Sequence, residues 1–193
     1  MKFLLSVICV LSVSFGVGYC LQCVKCDNQD GDSCSGSLET CDGSVTRCLS
    51  LLVVAEMDGK TISQITKSCA VDSKMCSTTA NMTFGSMELY IVPHCCEEDK
   101  CNKENVKLPA KDQKENGVEC PSCMTIGDKE CVPTNNKCTG AQTKCLSYNG
   151  EVYAYGYPMN TKLKGCSTEN ACTYSVPTYP ASPIKEGYTM SCP

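Results

Sequence analysis

The sequence predicts an all-β, disulfide-rich protein built from two copies of one small module. Three observations carry this. Cysteine supplies 20 of 193 residues, with three Phe and no Trp. The cysteine positions recur at a fixed spacing. Short strand-like runs alternate with turn residues, and helix signals are weak throughout. Cysteine at this density is the composition of a secreted disulfide scaffold. With so little aromatic mass to bury, several stapled modules are expected in place of one large core.

The first segment reads as a secretory signal peptide, residues 1–20. Lys2 supplies the positive start and Phe3 to Val17 is an apolar run, with Gly16 and Gly18 near its end. Parity places the cut. Cleavage after Gly18 leaves 19 cysteines, and cleavage after Cys20 leaves 18, an even number that can pair completely. The mature chain is therefore expected to start at Leu21. The last residues, Tyr188 to Pro193, carry neither an apolar span nor a glycolipid-anchor signal. The expected location is extracellular, with no membrane anchor.

The cysteines then reveal the repeat. Adding 97 to Cys23, Cys26, Cys34, Cys41, Cys48, Cys69 and Cys95 gives Cys120, Cys123, Cys131, Cys138, Cys145, Cys166 and Cys192. Cys76 answers to Cys172, one residue short of that offset. Thr46-Arg47-Cys48-Leu49-Ser50 returns as Thr143-Lys144-Cys145-Leu146-Ser147, and Gly43 as Gly140. Internal repetition of this kind defines the architecture. The first module covers residues 21–105 with 10 cysteines, and the second covers 118–193 with 8. Residues 106–117 hold no cysteine and read as a polar linker around Pro109. Each half can close its own bridges. The second copy stops one residue after Cys192, where the first continues through Cys96 to Cys101.

Within the first copy, Arg47 to Met57 and Lys60 to Ala70 read as strands around Asp58-Gly59. That dipeptide is a strong hairpin signal because both residues tolerate positive φ. Met87 to Val92 reads as a further strand leading into Cys95-Cys96. In the second copy, Cys145 to Tyr148 and Val152 to Tyr157 read as strands around Asn149-Gly150. Pro158 is expected to end that run or confine it to an edge.

Two motifs carry a family resemblance. Leu21-Gln22-Cys23-x-x-Cys26 opens the first module, and Cys95-Cys96-x-x-x-x-Cys101-Asn102 closes it. They resemble the three-finger, snake-toxin-like domains of the lymphocyte antigen 6 and urokinase receptor family. The resemblance implies a pairing that counting alone leaves open. It is Cys23–Cys48, Cys26–Cys34, Cys41–Cys69, Cys76–Cys95 and Cys96–Cys101 in the first module. In the second it is Cys120–Cys145, Cys123–Cys131, Cys138–Cys166 and Cys172–Cys192. The tandem arrangement is similar to the gamma-type phospholipase A2 inhibitors, through Cys96 to Cys101, Cys138 to Cys145 and Lys164-Gly165-Cys166. It is equally similar to the amphibian sodefrin-precursor-like factors, through Cys34-Ser35-Gly36 and Cys138-Thr139-Gly140.

The residues themselves point away from catalysis. His94 is the single histidine and leaves little acid–base capacity near neutral pH. No Gly-x-Ser-x-Gly or His-Glu-x-x-His string occurs. Cys23-x-x-Cys26 and Cys120-x-x-Cys123 could form halves of zinc or redox sites, but an oxidising compartment favours disulfides. Asp27 to Asp32 fails calcium-loop spacing, since Gln29 and Gly31 stand at ligand positions. No enzyme, metal or cofactor is expected. Asn81-Met82-Thr83 is a sequon for N-glycosylation.

Charge is uneven. Residues 21–107 hold 13 acidic and 8 basic side chains, and the rest holds 8 of each. This argues against nucleic acid and anionic membrane surfaces as partners. The expected function is binding of an extracellular protein through hairpin tips. The resemblance implies a secreted phospholipase A2 as that partner, met by steric contact, and it also implies oligomers. A secreted signalling ligand of the pheromone-like kind, or a soluble receptor-binding decoy, is the alternative. Expected contacts are Asp58 and Lys60 in the first copy and Tyr153, Tyr155 and Tyr157 in the second. Those tyrosines, with Tyr148, suit either an interface or a small core.

Overall fold

The structure is a computed structural model and describes residues 20–77, 79–154, 157–172 and 189–193, with backbone only at 152–154 and 157. The expected signal peptide up to Tyr19, and Tyr155, lie outside the described residues. Eleven β-strands are present among the described residues: β1 Gln22–Asn28, β2 Ser37–Thr40, β3 Cys48–Met57, β4 Lys60–Cys69, β5 Ala80–Phe84, β6 Met87–Cys96, β7 Glu115–Ile126, β8 Thr134–Thr139, β9 Lys144–Ala154, β10 Tyr157–Ser167 and β11 Thr189–Ser191. The only helical pieces among the described residues are short 3₁₀ turns, as at Ser73–Cys76 and Cys101–Lys103. The protein is all-β.

Contacts divide the chain into two compact units that do not follow the repeats. The described part of the first unit is residues 20–52, Gln64–Cys76 and Pro93–Lys107. The second holds Val53–Ser63, Ser77–Val92 and Leu108–Pro193.

In the first unit β1 pairs antiparallel with β2, from Gln22↔Thr40 to Lys25↔Ser37, and with β4 at Cys26↔Lys67. Five disulfides between described residues staple it: Cys23–Cys48, Cys26–Cys34, Cys41–Cys69, Cys76–Cys95 and Cys96–Cys101. Leu21, Cys23, Cys41, Cys48 and Cys69 form a buried cluster against which Val45, Cys96 and Cys101 pack. Sulfur therefore does much of the work that aromatic rings do in larger cores. Asn102 closes this base. Its side chain is fully buried. Its Oδ1 accepts from Val24 N at 2.8 Å, and its Nδ2 donates to Val24 O at 2.9 Å and Leu49 O at 3.1 Å. One amide thus satisfies backbone groups of two strands.

In the second unit β10 is the central strand. It pairs antiparallel with β9 from Tyr157↔Ala154 to Ser167↔Lys144, and with β7 from Thr161↔Ile126 to Lys164↔Cys123. It also pairs with β5 at Cys166↔Thr83 and Ser167↔Met82. β5 continues to β6, β7 to β8, and β9 to β11. Gly165 permits the approach of β5, because a Cβ there would stand 1.8 Å from Thr83 O. The disulfides are Cys120–Cys145, Cys123–Cys131, Cys138–Cys166 and Cys172–Cys192. Cys120, Cys138 and Cys166 make the counterpart buried cluster, with Val118 and Cys145 against it.

One local expectation is corrected. Asn149-Gly150 is not a turn. Gly150 pairs with Thr161 and Asn149 with Lys162, so β9 runs unbroken to Ala154. Nor does Pro158 end a strand; it is the second residue of β10, opposite Tyr153. Asn-Gly tolerates positive φ without imposing it, and here Asn149 is held by partners on both sides, Lys162 and Thr189. The segment read as a polar linker is not uniformly irregular either. Glu115 to Gly117 begin β7, and Lys114 O accepts from Gly140 N.

Candidate protein-binding site

The hairpin of β3 and β4 turns at Asp58 (φ 51°) and Gly59 (φ 76°). Two successive positive φ values define the primed two-residue turn that matches the right-handed twist of paired strands, and Asp-Gly suits it. All residues of this tip belong to the second unit. Asp58 and Lys60 are exposed there, as are the apolar side chains of Met57 and Ile62, at 43% and 49%.

Beside the turn lies an open groove of about 260 Å³, lined by Glu56 to Thr61, Ser86, Glu88, Lys111 and Gln113. Lys111 organises it. Its Nζ pairs with Glu56 and lies 3.2 Å from Glu88 Oε2. The same Glu88 oxygen accepts from Tyr90 Oη at 3.0 Å. Lys111 Nζ stands 5.5 Å from the centroid of the Tyr90 ring, a cation–π distance. Tyr90 is buried, and burial first, then the hydrogen bond to Glu88, pushes its phenol up to about 12. The hydrogen bond to Glu56 raises Lys111 further above the usual lysine range. Both groups therefore keep their protons at physiological pH. The groove offers fixed charge of both signs beside exposed apolar atoms. That combination suits recognition of a protein surface.

The other expected positions fall as follows. His94 is exposed on β6. The sulfurs of Cys23, Cys41 and Cys69 lie within 4.8 Å of one another, as do those of Cys120, Cys138 and Cys166. All six are in disulfides, and a disulfide sulfur is not the thiolate that metals need. Tyr148 is a core residue, 4% exposed, with Oη donating to Glu151 O at 2.8 Å. Tyr153 and Tyr157 occupy facing ends of β9 and β10. The structure thus gathers Asp58 and Lys60 with Glu88, Tyr90 and Lys111. The last three carry no local motif and were not among the expected contacts.

Comparison with known proteins places this architecture. The chain matches the u-PAR/Ly-6 domain twice, over residues 20–104 and 116–192. It belongs to the u-PAR/Ly-6 family. It is 29% identical over 175 residues to a phospholipase A2 inhibitor gamma subunit of Gloydius brevicaudus siniticus, covering 86% of this chain and 82% of that protein. It is 30% identical over 168 residues to phospholipase A2 inhibitor NAI of Notechis ater, with coverage again 86% and 82%. It is also 32% identical over 109 residues to protein RoBo-1 of Rattus norvegicus, covering 55% of this chain and 43% of that one. The tandem u-PAR/Ly-6 organisation therefore accounts for the offset of 97 between the cysteines. The first u-PAR/Ly-6 domain ends on the Asn102 closure.

Proposed function

We propose that this u-PAR/Ly-6 protein is secreted and inhibits an extracellular phospholipase A2 by occupying its surface, with no chemistry of its own. The observation that carries the reading is the pair of relatives named phospholipase A2 inhibitors, each matched over 82% of its length. The tip geometry supports it. A turn held by a paired hairpin presents Asp58, Lys60 and Met57 at small ordering cost, because the scaffold is already stapled. The expected contacts are Asp58 and Lys60, together with Tyr153, Tyr155 and Tyr157 of the second repeat.

The test is titration of a panel of secreted phospholipases A2 with the folded protein. Stoichiometric loss of hydrolysis, with a stable complex on gel filtration, is the expected result. Activity unchanged across the panel at a large excess of the protein would remove the reading. The double variant Asp58→Lys, Lys60→Glu is expected to change the association rate and its salt dependence, as reversed rim charges do. Alanine at Tyr155 is expected to weaken the complex about tenfold or more if that ring is an anchor.

A further inference from the structure

The one sequon of the chain, Asn81-Met82-Thr83, lies on β5, where four of its polar groups are engaged within the second unit. Asn81 N donates to Thr168 Oγ1 at 3.1 Å, and Asn81 O accepts from Thr168 N at 2.9 Å. The side chain of Gln142, itself 1% exposed, donates through Nε2 to Asn81 Oδ1 at 3.2 Å and to Thr83 Oγ1 at 2.8 Å. Its own orientation is decided by backbone. Gln142 Oε1 accepts from Thr139 N at 3.2 Å, and an N–H can only donate. Gln142 must therefore turn its nitrogen toward Asn81, and Asn81 must answer with its oxygen. Asn81 Nδ2 is left facing away. It donates to no described residue. Since the one buried side-chain polar atom without a partner among the described residues is Gln64 Oε1, Asn81 Nδ2 reaches solvent.

We propose that Asn81 carries an N-linked glycan added before β5 joins β10, and that Gln142 then holds the glycosylated amide with its sugar-bearing nitrogen turned outward. In the transfer, Asn81 Nδ2 bonds to the anomeric carbon of a lipid-pyrophosphate-linked oligosaccharide. The bond from that carbon to the pyrophosphate oxygen breaks, and the amide gives up one proton. Addition comes first because the folded sequon is fixed between two ladders, to β6 and β10, with its threonine hydroxyl tied to Gln142. The glycan is compatible with the fold because the only atom it modifies is the one the fold does not use. Gln142 is a positioning residue here. This proposal rests on the reading that the protein is secreted.

Full-length chain is translated with microsomes and also expressed in secretory cells, and intact mass is measured before and after enzymatic release of N-glycans. One glycan is expected, lost in Asn81→Gln and kept in Thr83→Ser. A chain that enters the lumen and stays bare overturns the proposal alone. A chain that never enters overturns the secretion reading with it. Timing has its own arm: refolded, unglycosylated protein presented to solubilised transferase is expected to stay bare, while the reduced, unfolded chain is modified. Modification of the folded form refutes the order of events. Gln142→Glu keeps the acceptor for Thr139 N but cannot donate, so Asn81 must turn its nitrogen inward. Its secreted yield relative to wild type is expected to fall several-fold, and to recover when glycan assembly is blocked by tunicamycin. An equal fall with and without the glycan would assign Gln142 a packing role only.

Discussion

The two repeats are most informative where they differ. Val45 of the first copy corresponds to Gln142 of the second, and Ser68 to Gly165, each at the offset of 97. Val45 packs on the cysteine cluster of the first unit. Gln142 bonds to Asn81 and Thr83, and Gly165 removes a side chain that would meet Thr83 O. Both departures lie against β5. A polar side chain appears where a strand brings hydroxyl and amide groups, and a glycine where its backbone comes too close for a Cβ. At the base, the first unit closes on Asn102, and in the second unit β11 pairs with β9.

The largest effect is expected from breaking the closure at Asn102. Asn102→Ala strips partners from Val24 N, Val24 O and Leu49 O. At about 1–3 kcal/mol for each buried group left unpaired, the loss should be about 3 kcal/mol or more, read from the shift in denaturant midpoint with disulfides intact. A loss under 1 kcal/mol would mean that water replaces the amide.

Gly165→Ala should cost about 1–3 kcal/mol by overpacking against Thr83 O, while Ser68→Ala at the equivalent position should stay within about 0.5 kcal/mol. Hydrogen exchange at Met82 and Thr83 should rise in the first variant only. Equal effects at both positions would dissolve the comparison. Gln142→Val, which makes the second copy resemble the first, should cost about 1–2 kcal/mol by leaving Thr139 N, Asn81 Oδ1 and Thr83 Oγ1 without their partner.

The smallest effect concerns the groove and depends on pH. Tyr90 and Lys111 both have folded pKa values raised above the unfolded ones. Their stabilisation is therefore complete below about pH 10 and is lost as pH rises through about 12 for Tyr90. Tyr90→Phe should flatten the fall of stability across that window, and Lys111→Ala should cost no more than about 1 kcal/mol at neutral pH, as part-exposed pairs do. Tyrosinate absorbance during alkaline titration would check the first.

Much of this was legible in the residues. The offset between cysteines gave the two domains, and Asp58-Gly59 marked a turn that the structure places there. Asn149-Gly150 misled because a dipeptide that tolerates positive φ was read as one that requires it. The groove was legible only at its turn. Lys111 meets Glu56 across 55 residues and Glu88 across 23, and no spacing rule joins such positions.

The amino-acid sequence by itself determined the class, the repeat, the redox chemistry of the cysteines, the sequon and the first hairpin turn. These follow from covalent and local constraints: which residues tolerate positive φ, which can cross-link, which alternate along a strand. Only the tertiary structure decided that β5 sits against β10, that Asn102 caps two strands, that Lys111 is held between Glu56 and Glu88, and which way the Asn81 amide points. Those outcomes depend on loops closing between distant residues. There one backbone N–H, that of Thr139, orients a side chain that in turn orients another.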